Sequence, residues 1–227
     1  MKTIGLIGGT SWHSTLDYYR LINSLVSDKI GTAGNPPLIL YSLNIEIMRS
    51  QDWEKINKKY LEVSRILHKA GAQAIVICAN TPHTVYDFVQ PQIEIPILHI
   101  ADAIGQYASK NDLENLGLLG NKPTMTGEFI TSYLDAHYKI NTLIPEDMGV
   151  ARSHYFVSKE LTRGIFSEEA KEFYLKQIDL LQKRGAEGVI LGCTELPILL
   201  SQEDSIVPLI PTTDLHAQMA ADFILSE

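Results

Sequence analysis

The sequence predicts an α/β protein of two similar halves, each a mainly parallel sheet flanked by helices and related by pseudo-two-fold symmetry. Three observations lead there. Short apolar runs alternate with amphipathic stretches, the pattern of buried parallel strands joined by crossover helices. Blocks of sequence recur in order at a nearly constant offset. Loops after the strands carry Gly, Asn, Thr and Pro, residue types that start helices.

Strands are expected at residues 3–7, 38–43, 75–78 and 97–100 in the first half. The second half has matching runs at 116–119, 141–144, 189–191 and 209–210. Helical periodicity joins Leu16, Tyr19 and Leu25 in one connection and Phe173, Ile178 and Leu181 in another. Gly5-Leu6-Ile7-Gly8 recurs as Gly117-Leu118-Leu119-Gly120, a shift of 112. The stretch from Ala70 to Ile77 recurs from Arg184 to Leu191, a shift of 114. Ile95-Pro96-Ile97-Leu98 recurs as Val207-Pro208-Leu209-Ile210, and Asp102 as Asp214, both at 112. The expected division is residues 1–100, joined by a closing helix at 214–227, and residues 101–213.

Composition bounds the function. Hydrophobic content of 45% supports a buried core, and a net charge of −8 lacks the basic face that nucleic acid requires. No stretch has the length of a membrane-spanning helix or the plan of a signal peptide, so a cytoplasmic protein without membrane contact is expected. Two cysteines outside any paired motif imply no disulfide framework. Seven scattered histidines without ligand spacing imply no metal site.

Ligands of α/β sheets bind beyond the carboxyl ends of the strands. Four loops there carry polar, helix-starting residues: Gly8-Gly9-Thr10-Ser11, Asn80-Thr81-Pro82, Asn121-Lys122-Pro123-Thr124 and Cys193-Thr194-Glu195. Thr81 before Pro82 reads as an N-cap, and helix N-termini favour a small anion. Gly5-x-x-Gly8-Gly9 departs from the dinucleotide spacing, and no Walker lysine follows. Cys193 stands out, because the end of a strand beside a helix start lowers a thiol's pKa and favours thiolate.

Gly5-Leu6-Ile7-Gly8-Gly9-Thr10-Ser11-Trp12, Asn80-Thr81-Pro82-His83 and Gly192-Cys193-Thr194-Glu195, in this order, resemble the aspartate/glutamate racemase superfamily over essentially the whole chain. The resemblance implies a site between two halves and an amino-acid racemase that needs neither pyridoxal phosphate nor metal. In the family, two cysteines address opposite faces of the α-carbon: one thiolate removes the proton, the other thiol returns one. The expected ligand is a small dicarboxylic amino acid, aspartate before glutamate, and a homodimer is the default assembly.

The sequence departs from the family at the first cysteine, where Cys-Asn-Thr is replaced by Ala79-Asn80-Thr81. The internal shift of 114 pairs Cys193 with Ala79, and Cys78 with Gly192. Cys78 should point to the opposite face of its strand. Three accounts fit the alanine: a deliberate replacement that traps substrate, a one-cysteine racemase in which Cys78 or water serves as partner, or another reaction. Arylmalonate decarboxylases of this superfamily resemble the third, with one thiol protonating a carbanion after loss of CO2. A non-catalytic dicarboxylate-binding relative is a further alternative, and a cysteine hydrolase would need His83 or His216 beside Cys193. Substrate contacts implied by the resemblance and by the helix termini are Thr10, Asn80 and Thr81 in one half, and Thr124, Thr126 and Thr194 in the other. Arg49, with Lys122 behind it, is a candidate partner for a side-chain carboxylate. Cys78, His83 and Glu195 are auxiliary candidates.

Overall fold

The computed structural model describes residues 1–31 and 34–227, which form two compact units, Met1–His99 with His216–Glu227, and Ile100–Leu215. The first unit runs β1 (Ile4–Gly8), α1 (Trp12–Ile30), β2 (Leu38–Ser42), α2 (Glu46–Arg49), α3 (Trp53–Lys69), β3 (Ala74–Ile77), a 3-10 turn (Thr81–Val85), α4 (Tyr86–Val89) and β4 (Ile97–Leu98). Its strands are parallel in the order β2-β1-β3-β4. The second unit runs α5 (Ile100–Lys110), β5 (Asn115–Leu119), α6 (Lys122–Thr126), α7 (Glu128–Tyr138), β6 (Asn141–Leu143), α8 (Asp147–Lys159), α9 (Glu168–Lys183), β7 (Gly188–Leu191), α10 (Leu196–Leu199) and β8 (Leu209–Pro211). It repeats the parallel order as β6-β5-β7-β8. From there α11 (Thr212–Leu225) carries the chain back into the first unit.

The duplication reaches single hydrogen bonds. Cys78 N donates to Ile7 O at 2.9 Å, and Gly192 N to Leu119 O at 2.7 Å. Ala72 N donates to Leu67 O and Ala186 N to Leu181 O, both at 3.0 Å, closing α3 and α9 in the same way. The Gln90 side chain accepts from Ile97 N at 2.6 Å, and Gln202 from Leu209 N at 2.8 Å. Ile7 stands opposite Ile77 and Leu119 opposite Leu191 in the ladders, so Ala79 and Cys193 occupy equivalent places two residues past their strands.

Both faces of each central strand are buried, which explains why β1 and β3 read as unbroken apolar runs. Side chains of β3 divide by parity. Ile75 and Ile77 pack with Tyr60, Val63 and Leu67 of α3. Ala74, Val76 and Cys78 pack with Tyr18, Ile22 and Val26 of α1 and with Ala217, Ala220, Ala221 and Ile224 of α11. Each fully buried aliphatic side chain contributes roughly 1.5–3 kcal/mol. α1 forms as expected but buries another face. Tyr18, Ile22 and Val26 face the sheet, while Leu16 and Tyr19 are exposed and Leu25 only borders the core. The reason is polar satisfaction: the Tyr18 hydroxyl meets His216 Nδ1 at 2.8 Å, so the tyrosine can be buried whole.

Candidate active site

The first loop is shaped by glycine. Gly9 has φ +92°, and a Cβ there would come within 2.0 Å of Leu43 O, so the turn off β1 admits no larger residue. Gly9 N donates to Thr15 Oγ1 at 3.0 Å, and Ser11 Oγ caps α1 by accepting from Ser14 N at 3.2 Å. Thr10 lies half-buried between these two anchors.

The second loop follows β3. Ser14 Oγ donates to Cys78 O at 2.7 Å, tying the start of α1 to this strand end. Cys78 is fully buried on the α1 and α11 side, and burial raises its thiol far above the ordinary range. It is a core residue. Ala79 is half-buried and Asn80 buried, with Asn80 Oδ1 left without a hydrogen-bond partner. The helix start lies one residue earlier than expected, with Asn80 rather than Thr81 in the cap position, and the turn is 3-10 rather than α. Pro82, which has no N–H, fits its first turn.

His83 faces the core and secures the loop: its Nδ1 lies 2.9 Å from Ala79 O and 3.1 Å from Asn80 O. Its ring packs edge-on against His99 and His216, with centroids 4.9 and 5.3 Å away. His216 is bonded at both nitrogens, to Tyr18 and, at 2.7 Å, to Leu98 O. Burial lowers His83 to about 4 and, together with the neighbouring His83, lowers His216 to about 3. Both imidazoles are therefore neutral parts of a packed interior near neutral pH.

In the second unit Asn121 Oδ1 caps α6 by accepting from Thr124 N at 2.9 Å, and Thr124 is buried. Thr126 is exposed and returns its hydroxyl to Lys122 O at 2.9 Å, while Lys122 also lies exposed. Ser153 Oγ donates to Gly120 O at 2.7 Å and holds the end of β5. Arg49 ends α2, largely exposed, and pairs with Glu46 at 2.7 Å. Its charge is thus locally matched.

Cys193 is nearly buried. Its Sγ–H donates to Glu195 Oε2 at 2.8 Å, and Thr194 Oγ1 donates to the same oxygen at 2.8 Å. Burial first, then the Glu195 carboxylate, raises the thiol well above its usual pKa. This reverses the expectation of a thiolate promoted by a helix start. α10 has only four residues and a weak dipole, which burial and then the adjacent carboxylate outweigh. Glu195 occupies the cap position of α10 without a side-chain capping bond, its carboxylate being turned to the thiol.

Sequence reasoning missed two tyrosines that the 114-residue shift pairs. Tyr60 of α3 is buried, and its phenol lies toward Thr10 without closing a hydrogen bond. Tyr174 of α9 lies in the field of Cys193 and Glu195, and its phenol meets Ser153 Oγ at 3.1 Å. Each reads in sequence as one more apolar position of an amphipathic helix. Only the repeat itself could have singled them out.

The geometry offers a thiol with a carboxylate partner in the second unit and, at the equivalent place in the first, a methyl group. Known proteins share the fold. A candidate Asp/Glu racemase from Yersinia pestis is 36% identical, with full coverage of both chains and a TM-score of 0.95. An aspartate racemase homologue from Pyrococcus horikoshii is 33% identical, again over both full chains, with a TM-score of 0.89. Glutamate racemase of Clostridium perfringens (strain SM101) is 25% identical over 157 residues, which span 68% of this chain and 58% of that enzyme's length. A family model described as Asp/Glu/Hydantoin racemase matches residues 7–220, and the chain belongs to this racemase family.

Proposed function

We propose that the chain moves a proton at the α-carbon of an acidic amino acid, aspartate first and glutamate as the near alternative, through Cys193 and without a cofactor. The observation that carries this reading is the Cys193 thiol at the end of β7, hydrogen-bonded to Glu195 in a loop whose counterpart holds Ala79. The resemblance to an aspartate racemase homologue over the full chain supports the substrate class. Thr10, Asn80, Thr81, Thr124 and Thr194 are the proposed substrate contacts. Thr126 and Arg49, both exposed, would have to turn toward the ligand to take part. A homodimer in the cytoplasm remains the proposed setting.

One thiol can exchange the α-hydrogen only on the face it reaches. L- and D-aspartate and L- and D-glutamate incubated in deuterated water should therefore lose the α-proton signal unequally, one enantiomer leading. Cys193→Ala should abolish the exchange, and Ala79→Cys should extend it to the other enantiomer. Silence from both the natural chain and Ala79→Cys would end this reading.

A second reading is favoured by the protonated state of Cys193, since a resting thiol suits delivery of a proton to a carbanion made by another bond cleavage. Decarboxylation of a malonate-type substrate then predicts CO2 release that depends on Cys193 and ignores position 79.

A further inference from the structure

Glu195 lies two residues from Cys193, and the turn between β7 and α10 brings its Oε2 to 2.8 Å from Sγ. Thr194 Oγ1 donates to the same oxygen, so two donors fix the carboxylate rotamer. Oε2 accepts both hydrogen bonds and donates none. The thiol is almost shut off from solvent, and Leu196 and Leu199 beside it belong to the same apolar cluster. A negative charge at hydrogen-bond distance in such surroundings opposes a second negative charge on sulfur. Tyr174 of α9, which carries no positive charge, is the neighbouring titratable group that both Cys193 and Glu195 act on.

We infer that Glu195 holds Cys193 in its thiol form, making Cys193 the resting proton donor of the site and restraining it as a base. This rests on the proposed reaction at the α-carbon. The proton count closes simply. A thiolate formed by loss of the Sγ proton to solvent takes the α-proton as the Cα–H bond breaks, leaving thiol and carbanion. After the thiol proton exchanges with solvent, the Sγ–H bond breaks as the new Cα–H bond forms, and solvent returns a proton to sulfur, where Glu195 again accepts the hydrogen bond. The neighbouring carboxylate makes the first loss harder and the last return easier.

The test is Glu195→Gln, which keeps an acceptor for Cys193 and Thr194 and removes the charge. Thiolate absorbance, taken as the difference from Cys193→Ala at each pH, should titrate at lower pH than in the natural chain. α-Hydrogen exchange near neutral pH should rise, about tenfold for each unit the titration moves. Glu195→Asp, which keeps a carboxylate, should restore a titration close to the original and serves as the check on folding. An unmoved or upward titration in Glu195→Gln overturns the inference, as does a downward titration with exchange unchanged or reduced. If the natural chain exchanges no amino acid at all, the proposed reaction fails, and the titration alone still decides what Glu195 does to the thiol.

Discussion

Cys193 and Ala79 occupy equivalent places in two copies of one structural unit, and the proposed reaction turns on the sulfur that only one of them has. A thiol raised by burial and by Glu195 is a poor base near neutrality. Because the base form is the thiolate, its fraction grows with pH. Exchange through Cys193 should climb about tenfold per pH unit above neutrality and show no plateau below about pH 8.5, the ordinary thiol range. A profile already level at neutral pH would mean that the thiol is not held up. The Cys193 loop was legible in sequence because strand end, cysteine and acid are contiguous. The direction of the pKa shift was not, since it depends on the burial of the sulfur and on how the turn aims one carboxylate.

At the scale of elements, α1, α3 and α11 bear on the first loops from behind. Tyr60 brings a buried phenol without a hydrogen bond, a group whose burial is normally compensated. Tyr60→Phe should therefore change stability by less than about 0.5 kcal/mol or raise it slightly in urea unfolding. A loss above about 1 kcal/mol would reveal a partner for the hydroxyl. Tyr18 and His216 link α1 to α11, and His83 joins the same cluster. Both histidines have folded-state values below the unfolded value of about 6.5, at about 4 and about 3. Between these values the unfolded chain binds protons that the folded unit refuses, so stability is complete above about pH 6.5 and falls on acidification. The slope should approach about 1.4 kcal/mol per pH unit for each histidine. Equal urea midpoints at about pH 7 and about pH 5 would contradict it. The strands, and the helices α1, α9 and α11, were legible from apolar runs and periodicity. The buried face of α1 was not, because Leu16 and Tyr19 compete with Tyr18 and Ile22 until a partner for the Tyr18 hydroxyl is known.

At the scale of the molecule, the first unit is discontinuous, its core completed by Ala217, Ala220, Ala221 and Ile224 from the far end of the chain. Removing residues 216–227 should destabilise that unit by more than about 3 kcal/mol through lost burial and the open space left behind. Native-state hydrogen exchange should then show β1 and β3 losing protection while β5 and β7 keep theirs. Uniform loss along the chain, or none, would argue against a division at this boundary. Among the described residues, no helix is long and apolar enough to cross a membrane.

By itself the sequence determined the parallel strands, the tandem repeat, the family motifs and the empty cysteine position, because each is written in local pattern or constant offset. Only the tertiary structure decided that Cys78 belongs to the core, that His83 and His216 are packed in the interior, and that Glu195 is aimed at the Cys193 sulfur. Such outcomes depend on burial and on distances of a few ångströms between side chains, which residue order constrains without specifying.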